Sequence, residues 1–540
     1  MNNEASKSEN FDSYQKSEIS EILKLCLEKG ILVDKETCSL LSEFDEETAR
    51  SIVEKISNLK ERLITKSFFD KNAEKISELI GDKKIIEKLR INLGLSLEIL
   101  RERHLEEVKE VTEFEKRQEV KIENLRVLFS ASNPIKKIEV ADFVRYFRAR
   151  YSEIKNILQE RKELEGLTSI NKMSGSRQGV SIIGIVFDKR ITKNKNILLE
   201  VEDLTGRATI LINKSKIDIY DKIKDVLIDD VIGVRGFWNN EIIFANEIAY
   251  PNAFLQEKAR IDRDESAAFI SDIHMGSKNF LKESFLRFIE WINGELGDEK
   301  QKEDAKKVKY LFITGDCVDG VGIFPGQEAL LEIKDIREQY NKLAEYLSRI
   351  RKDVKIIMCP GQHDSVRVAE PQPAIGEDYG KALHAVDNII LVSNPAMIEI
   401  TNNGNKGIKI LMYHGASMTH YVNEIESLRL GKAHNNPSKV VKELLKRRHL
   451  SSMHSLVTYI PNENYDPLLI REIPDIINTA DFHKSDVDIY NNILIICSSC
   501  WQSITPFEEK VGNVPDYCKV PVFNLKTREI KILDFYEKNN

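Results

Sequence analysis

The sequence predicts a multidomain protein in three parts: a helical N-terminal module, a small five-stranded β-barrel and a C-terminal layered α/β domain. Three observations carry that reading. The 540 residues exceed what one hydrophobic core organises. The apolar spacing is helical near the N-terminus, alternates from about residue 178, and then becomes buried strands separated by helical stretches. The residues just after those last strands are repeatedly His or Asp, although the whole chain holds only 10 His.

The N-terminal helices come first. Ile19, Ile22, Leu23, Cys26 and Leu27 share one helical face, and Gly30 ends it. Asp45 caps a second helix with Ala49, Ile52, Val53, Ile56, Leu59 and Leu63 on one side. We assign residues 1–80 to this module. Residues 81–177 are dense in Glu, Lys and Arg with thin apolar patterning, which predicts a charged helical linker with solvated faces.

Alternating strands follow. VSIIGIVF precedes ILLEVEDLTGRATILI, two strands around Thr205-Gly206, and VIGVRGFWNNEIIFANEIAY forms a hairpin around Asn239-Asn240. Short strands about ten residues apart predict an OB-fold barrel over 178–255. Phe187, Phe237 and Trp238 are its candidate aromatic platforms for a single strand, with protein docking an equal alternative.

The C-terminal strands are AAFI, YLFIT, VKIIM, NIILV, IKILMY, DIIN and NILIIC. Five of them deliver polar residues at their ends: Asp272 and His274; Asp316 and Asp319; Gln362, His363 and Asp364; His414; and Asp481 and His483. One such end means nothing, because polar residues naturally follow buried strands. Five ends rich in His point to metal binding. Carboxylates, imidazoles and an amide oxygen suit two divalent ions such as Mn²⁺, Fe or Zn²⁺, which clamp a phosphate and activate water.

Composition limits the partners. The formal net charge is -7 with 31% charged residues, so bulk positive charge does not hold this chain on nucleic acid. Seven scattered Cys make no disulfide framework, and Cys497 and Cys500 form a C-x-x-C without a second pair. No apolar run approaches the ~20 residues of a spanning helix. The N-terminus MNNEASKSENFDSYQKSE lacks an apolar signal core. The expectation is a soluble, cytoplasmic protein with no membrane partner.

The blocks D-x-H and G-D-x-x-D, with GQHD, a lone His and ADFH, resemble the calcineurin-like metallophosphoesterase superfamily. That resemblance implies a phosphoesterase sandwich over 262–538. It implies that Asp272, His274, Asp316 and His483 hold one ion and that Asp316, Gln362, His414 and Asp481 hold the other. His363 would face the phosphate and Asp364 would orient it. Gln362 stands where the superfamily has Asn, and Asp481 where it has the first His of G-H-x-H. Both departures fall on the second ion.

The barrel ahead of this domain, the segment VRVAEPQPAI, the block IPDIINTADFH and the tail WQSITPFEEKVGNVPDYCKVPVFNL resemble the polymerase B-subunit family. The resemblance is to the small subunits of archaeal family-D DNA polymerases. It implies a metal-dependent 3′-5′ proofreading exonuclease, usually with Mn²⁺, docked on a large catalytic subunit and acting on DNA 3′ ends. Arg367 is a candidate for a backbone phosphate. The alternatives are a non-catalytic scaffold subunit with a degraded second site, and a stand-alone metallophosphatase.

Overall fold

The computed structural model describes residues 121–131, 137–173, 178–462 and 465–536, with scattered positions between 24 and 64. The chain divides into two compact units, residues 1–114 and 115–540. In the first, Lys24, Cys26 and Glu28 are helical, as are Arg50 and Val53. Cys26 and Val53, both on predicted apolar faces, are buried. Leu32–Val33 pairs in parallel with Leu63–Ile64, which helical spacing did not anticipate. The rest of the predicted module, and residues 81–120 of the predicted linker, lie outside the described residues.

The second unit opens on β1 (Lys121–Ile122), β2 (Leu125–Ser130) and α1 (Val140–Gln159). The barrel strands are β3 (Gln178–Ile191), β4 (Ile197–Asp203), β5 (Gly206–Ile212), β6 (Val231–Trp238) and β7 (Ile242–Ala249). They close in the order β3-β4-β5-β7-β6, an OB-like barrel. Its closure rests on β3, which is 14 residues long and shifts register between Val186 and Asp188. The N-terminal half of β3 therefore pairs with β6 and the other half with β4. Inward residues such as Ile182, Leu199, Ile210, Val234 and Ile243 fill the interior.

The C-terminal domain is built on two sheets. The first holds β8 (Ser266–Ile270), β9 (Val308–Thr314), β10 (Lys355–Cys359), β11 (Ile389–Leu391), β17 (Lys519–Asn524) and β18 (Ile530–Asp534), in the order β11-β10-β9-β8-β17-β18. The second holds β12 (Ala396–Asn402), β13 (Asn405–Met412), β14 (Ile476–Thr479), β15 (Asp486–Tyr490) and β16 (Ile493–Cys497), in the order β15-β16-β14-β13-β12-β2-β1. Strands β8 to β11 run parallel, and β8 to β10 are buried on both faces, so they read as continuous apolar runs. Between the sheets Phe269 stacks on Phe312 at 5.2 Å, joined by Ile357, Ile398, Ile410, Ile476 and Ile496. Helices Lys282–Ile292 and Ile336–Leu347 cover the first sheet through Phe285, Phe288 and Tyr340. Helix Ser438–Arg447 covers the second through Val441, Leu444 and Leu445. The result is four layers, helix, sheet, sheet, helix.

Residues 121–173 depart from the expected linker. Strand β2 pairs with β12 and extends the second sheet. Helix α1 lodges between barrel and C-terminal domain. Tyr151, Ile154 and Leu158 pack with Ile183 and Val231 of the barrel, and Leu469 joins them from the C-terminal domain. The charge count misled because some of these charges are paired and buried. Arg150 Nε donates to Asp466 Oδ2 at 2.6 Å, with both side chains almost fully covered. Tyr146 and His449 also bond Asp466, each at 2.7 Å. A second buried pair, Arg447 with Asp230 at 3.0 Å, joins the C-terminal domain directly to the barrel. No helix among the described residues is long and apolar enough to cross a membrane.

Candidate metal centre

Five loops converge at the carboxyl ends of β8, β9, β10, β13 and β14, where the two sheets meet. The loop after β8 carries Asp272 and His274, and the loop after β9 carries Asp316. Gln362, His363 and Asp364 follow β10, His414 follows β13, and Asp481 and His483 follow β14. These loops turn sharply enough that Asp272, His274, Asp316, Asp481 and His483 all adopt left-handed backbone, with φ between 45° and 68°. Non-glycine residues rarely do so, and Asp and His are among the types that tolerate it best. Gly315 and Gly361 give the packing room. A Cβ on Gly315 would run into His414 Nδ1, and one on Gly361 would lie 2.7 Å from His414 Nε2 and against Asp316 Oδ1.

Asp316 is at the centre. Its Oδ2 lies 3.3 Å from His414 Nε2, 3.9 Å from His363 Nε2 and 4.0 Å from His274 Nε2. Burial alone would raise its carboxyl, but the His414, His363 and His274 imidazoles outweigh that and hold it well below the usual carboxylate range. Three sets of side chains present ligand atoms within 4.8 Å of one another: Asp272, His274 and His483; His274, Asp316 and His363; and Asp272, Asp316 and His414. Asp272 thus reaches both halves of the cluster. Gln362 Nε2 donates to Asp481 Oδ1 at 2.9 Å, and Asp481 Oδ1 lies 3.9 Å from His414 Nε2.

The imidazoles are held through their other nitrogens. His274 Nδ1 meets Asp319 Oδ1 at 3.1 Å, His414 Nδ1 meets the Thr314 carbonyl at 2.9 Å, and His483 Nδ1 meets Glu508 Oε1 at 2.8 Å. His363 Nδ1 meets the Asp319 carbonyl at 2.7 Å. Each acceptor fixes a proton on Nδ1 and turns Nε2 toward the cluster.

This geometry corrects the expected role of Asp364. Its Oδ2 takes the backbone N–H of Gly361 at 2.8 Å and of Cys317 at 3.1 Å, and its Oδ1 takes the Tyr340 hydroxyl at 3.0 Å. No bond to His363 is among these, and the Asp319 carbonyl orients that ring instead. Asp364 sits beneath the cluster and ties two ligand loops together. Burial pushes its carboxyl up to about 6, helped by Asp316 and opposed by those donors. Arg367, the candidate phosphate contact, donates from Nη2 to the Pro371 carbonyl at 2.7 Å and from Nε to the Ala369 carbonyl at 3.2 Å.

Residues 267–487 match the family model for the B subunit of DNA polymerase alpha/epsilon. The chain is 39% identical over 398 residues to the DNA polymerase II small subunit of Methanothermobacter thermautotrophicus, covering 74% of this chain and 80% of that one. With the Archaeoglobus fulgidus small subunit it shares 34% over 471 residues, covering 85% and 91%. The chain belongs to the archaeal DNA polymerase II small-subunit family. It spans 64% of the length of the Pyrococcus furiosus small subunit, to which it is 35% identical over 405 residues.

As a member of the small-subunit family, the chain carries further side chains that sequence reasoning missed. Glu508 and Gln502 lie beyond the matched residues, on the C-terminal tail. Gln502 Nε2 donates at 3.1 Å to Asp319 Oδ1, the oxygen that also meets His274. Gln372, within VRVAEPQPAI, donates to the Gly361 carbonyl at 3.0 Å and accepts from Asn394 Nδ2 at 2.8 Å. Asn394 Oδ1 in turn accepts the His414 N–H at 2.9 Å. These are ordinary amides and acids in the sequence. Only the fold brings them beneath the cluster.

Proposed function

We propose that this chain is the small subunit of a replicative family-D-like DNA polymerase. In this reading it docks on a large catalytic subunit and carries a metal-dependent 3′-5′ proofreading exonuclease. The nuclease would reside in a calcineurin-like phosphoesterase domain over 262–538, with an OB-fold over 178–255. One observation carries the chemistry. Three buried polar atoms facing the cluster, Asp272 Oδ1, Gln362 Oε1 and His414 Nε2, have no hydrogen-bond partner among the described residues. Leaving such atoms without a hydrogen bond costs about 1–3 kcal/mol each, and divalent cations are partners that suit carboxylate oxygens, amide oxygens and imidazoles alike.

The residues fit two ions. Asp272, His274, Asp316 and His483 would hold one, and Asp316, Gln362, His414 and Asp481 the other; the mixed donor set suits Mn²⁺, Fe or Zn²⁺, and the family resemblance favours Mn²⁺. When bound, such ions neutralise phosphodiester charge and supply a nucleophile at neutral pH. The protein's part is orientation. His363 is partly exposed, its Nδ1 is committed to the Asp319 carbonyl, and its Nε2 faces the cluster. A proton held there is placed for the O3′ leaving oxygen of the chain being shortened. Asp364 and Gln372 hold Gly361 from two sides, and so set the height of the His363 loop.

The test is direct. Purified full-length chain with Mn²⁺ and 5′-labelled single-stranded DNA should give a ladder that shortens from the 3′ end. Internal nicking, or no cleavage at any Mn²⁺ concentration, would refute the exonuclease. A second reading, a non-catalytic scaffold subunit, draws on the Gln362–Asp481 hydrogen bond. Those two side chains are the departures from the superfamily pattern, and here they satisfy each other in part.

A further inference from the structure

The metal-centre reading leaves the C-terminal tail without a role, although the tail touches the cluster. The short helix Pro506–Val511 starts with a capping box in which Thr505 and Glu508 bond each other. Glu508 uses both carboxylate oxygens. Oε2 accepts from the Thr505 backbone N–H at 2.9 Å and from its hydroxyl at 3.0 Å. Oε1 accepts from His483 Nδ1 at 2.8 Å. A capping box needs only the first of these. The second reaches across 25 residues of sequence to a side chain in the cluster.

We infer that Glu508 is a positioning residue: through His483 Nδ1 it fixes the ring and tautomer with which His483 presents Nε2 to a divalent cation. An ionised carboxylate has no proton to give, so Nδ1 must be the donor, and Nε2 keeps its lone pair. That nitrogen faces the first-ion cluster, 3.4 Å from Asp272 Oδ1 and 3.3 Å from His274 Nε2. The same tail supports the other imidazole of this half, because Gln502 bonds the Asp319 oxygen that meets His274 Nδ1. Residues 502–508 therefore brace both histidines of one ion. They lie outside the matched stretch of the polymerase family, 267–487, so that match does not assign them.

Carboxylate acceptors behind metal-bound imidazoles typically contribute about 10- to 100-fold in metal affinity. Glu508→Ala should weaken the Mn²⁺ site that His483 serves by about that factor, read by calorimetry and by the electron paramagnetic resonance of free Mn²⁺. Raising Mn²⁺ in proportion should restore full stoichiometry, a rescue that a misfolded tail would not show. Glu508→Gln has one carbonyl oxygen to serve two sets of donors and should fall between wild type and Ala. Thr505→Ala separates fold from position. It breaks the capping box and should lower the thermal midpoint, yet it leaves the Oε1–Nδ1 bond and hence the Mn²⁺ affinity.

Wild-type affinity in Glu508→Ala, or an equal loss in Thr505→Ala, would overturn the inference. So would a loss in Glu508→Ala that excess Mn²⁺ does not restore. A wild-type chain that binds no Mn²⁺ would instead overturn the metal-centre reading on which the inference rests.

Discussion

Gly361→Ala tests the cradle around Asp316 with a single methyl group. Gly361 is buried and its φ is not left-handed, so the backbone accepts alanine and the methyl acts by contact alone. The new Cβ would lie 2.7 Å from His414 Nε2, 2.5 Å from the Asp316 backbone N, and against Asp316 Oδ1. Since real Cβ contacts essentially never fall under 3.0 Å, His414 must retreat by at least 3.0 − 2.7 Å, roughly 0.3 Å. Asp316 must move further. Metal sites tolerate only ~0.2 Å of ligand displacement. Overpacking costs about 1–3 kcal/mol, offset by about 0.4–1 kcal/mol from the stiffer unfolded chain, so the fold should lose only about 1–2 kcal/mol. The site should lose more: misplacement on this scale costs up to ~10²-fold in activity, and Mn²⁺ affinity should fall with it. The assay pairs thermal melts with Mn²⁺ calorimetry and 3′-end digestion. A variant that melts a few degrees lower yet binds Mn²⁺ and digests DNA like wild type would refute the claim that Asp316 and His414 form one cradle around Gly361.

Asp316→Ala should abolish nuclease activity and leave co-purification with a large subunit intact; loss of the complex in a mutant that still melts cooperatively would contradict the separation of roles. Gln362→Asn with Asp481→His should lower the Mn²⁺ needed for half-maximal activity, and each single change should give less than half of the gain because the two side chains bond each other; additive single effects would argue against a shared ion. Glu370 gives a pH test, since burial pushes its carboxyl up to about 8, opposed by Tyr413 and His414. Its folded value is raised, so between about pH 4.5 and 8 the native state keeps a proton that the unfolded chain releases. Stability should therefore fall as pH rises through that window, by about 1.4 kcal/mol per unit. Glu370→Gln lacks that slope, and its advantage over wild type in chelator should grow by roughly 3 kcal/mol from pH 5 to pH 7; parallel melting curves would sink the assignment.

The layered domain was legible because its strands are buried on both faces and therefore continuous in the sequence: YLFIT and VKIIM lie at β9 and β10. The barrel was legible because one face of each strand is wet, and alternation survives in ILLEVED. Residues 121–173 were not, for a physical reason. Periodicity rules treat charge as solvent-facing, whereas Arg150 and Asp142 are buried and paired. The converging side chains were legible as strand-end residues, since a strand's carboxyl end fixes where the next residue goes. The residues that hold them were not. Glu508 carries no spacing signal, Asp319 stands in G-D-x-x-D but nothing in that spacing marks it as the partner of His274, and Asn394 reaches His414 only because β12 and β13 are paired. Asp364 was misread because the orienting group for His363 is a backbone carbonyl, which no side-chain pattern encodes.

The choice between an active and an eroded second site turns on backbone more than on side chains. Asp481, the altered position of that site, keeps a φ of 68°. Left-handed backbone at residues with a Cβ is costly and persists where the surroundings impose it. In a loop released from metal binding, Gly or Asn at that position would relieve the strain at no cost to function. Here the strain is kept and the substitutions are matched. Gln362 is one methylene longer than Asn, and Asp481 presents an oxygen where the superfamily pattern has an imidazole. Their 2.9 Å bond links the long side chain to the short one across the gap. That bond uses the Gln362 nitrogen and leaves its Oε1 buried without a partner among the described residues. An eroding scaffold gains nothing from an unpaired amide oxygen held in this position. A site retuned toward oxygen ligands does, because the oxygen is then the ligand, and harder ions such as Mn²⁺ favour such a set over Zn²⁺. The strained loop and the unpaired oxygen both weigh toward a second site that was altered and kept.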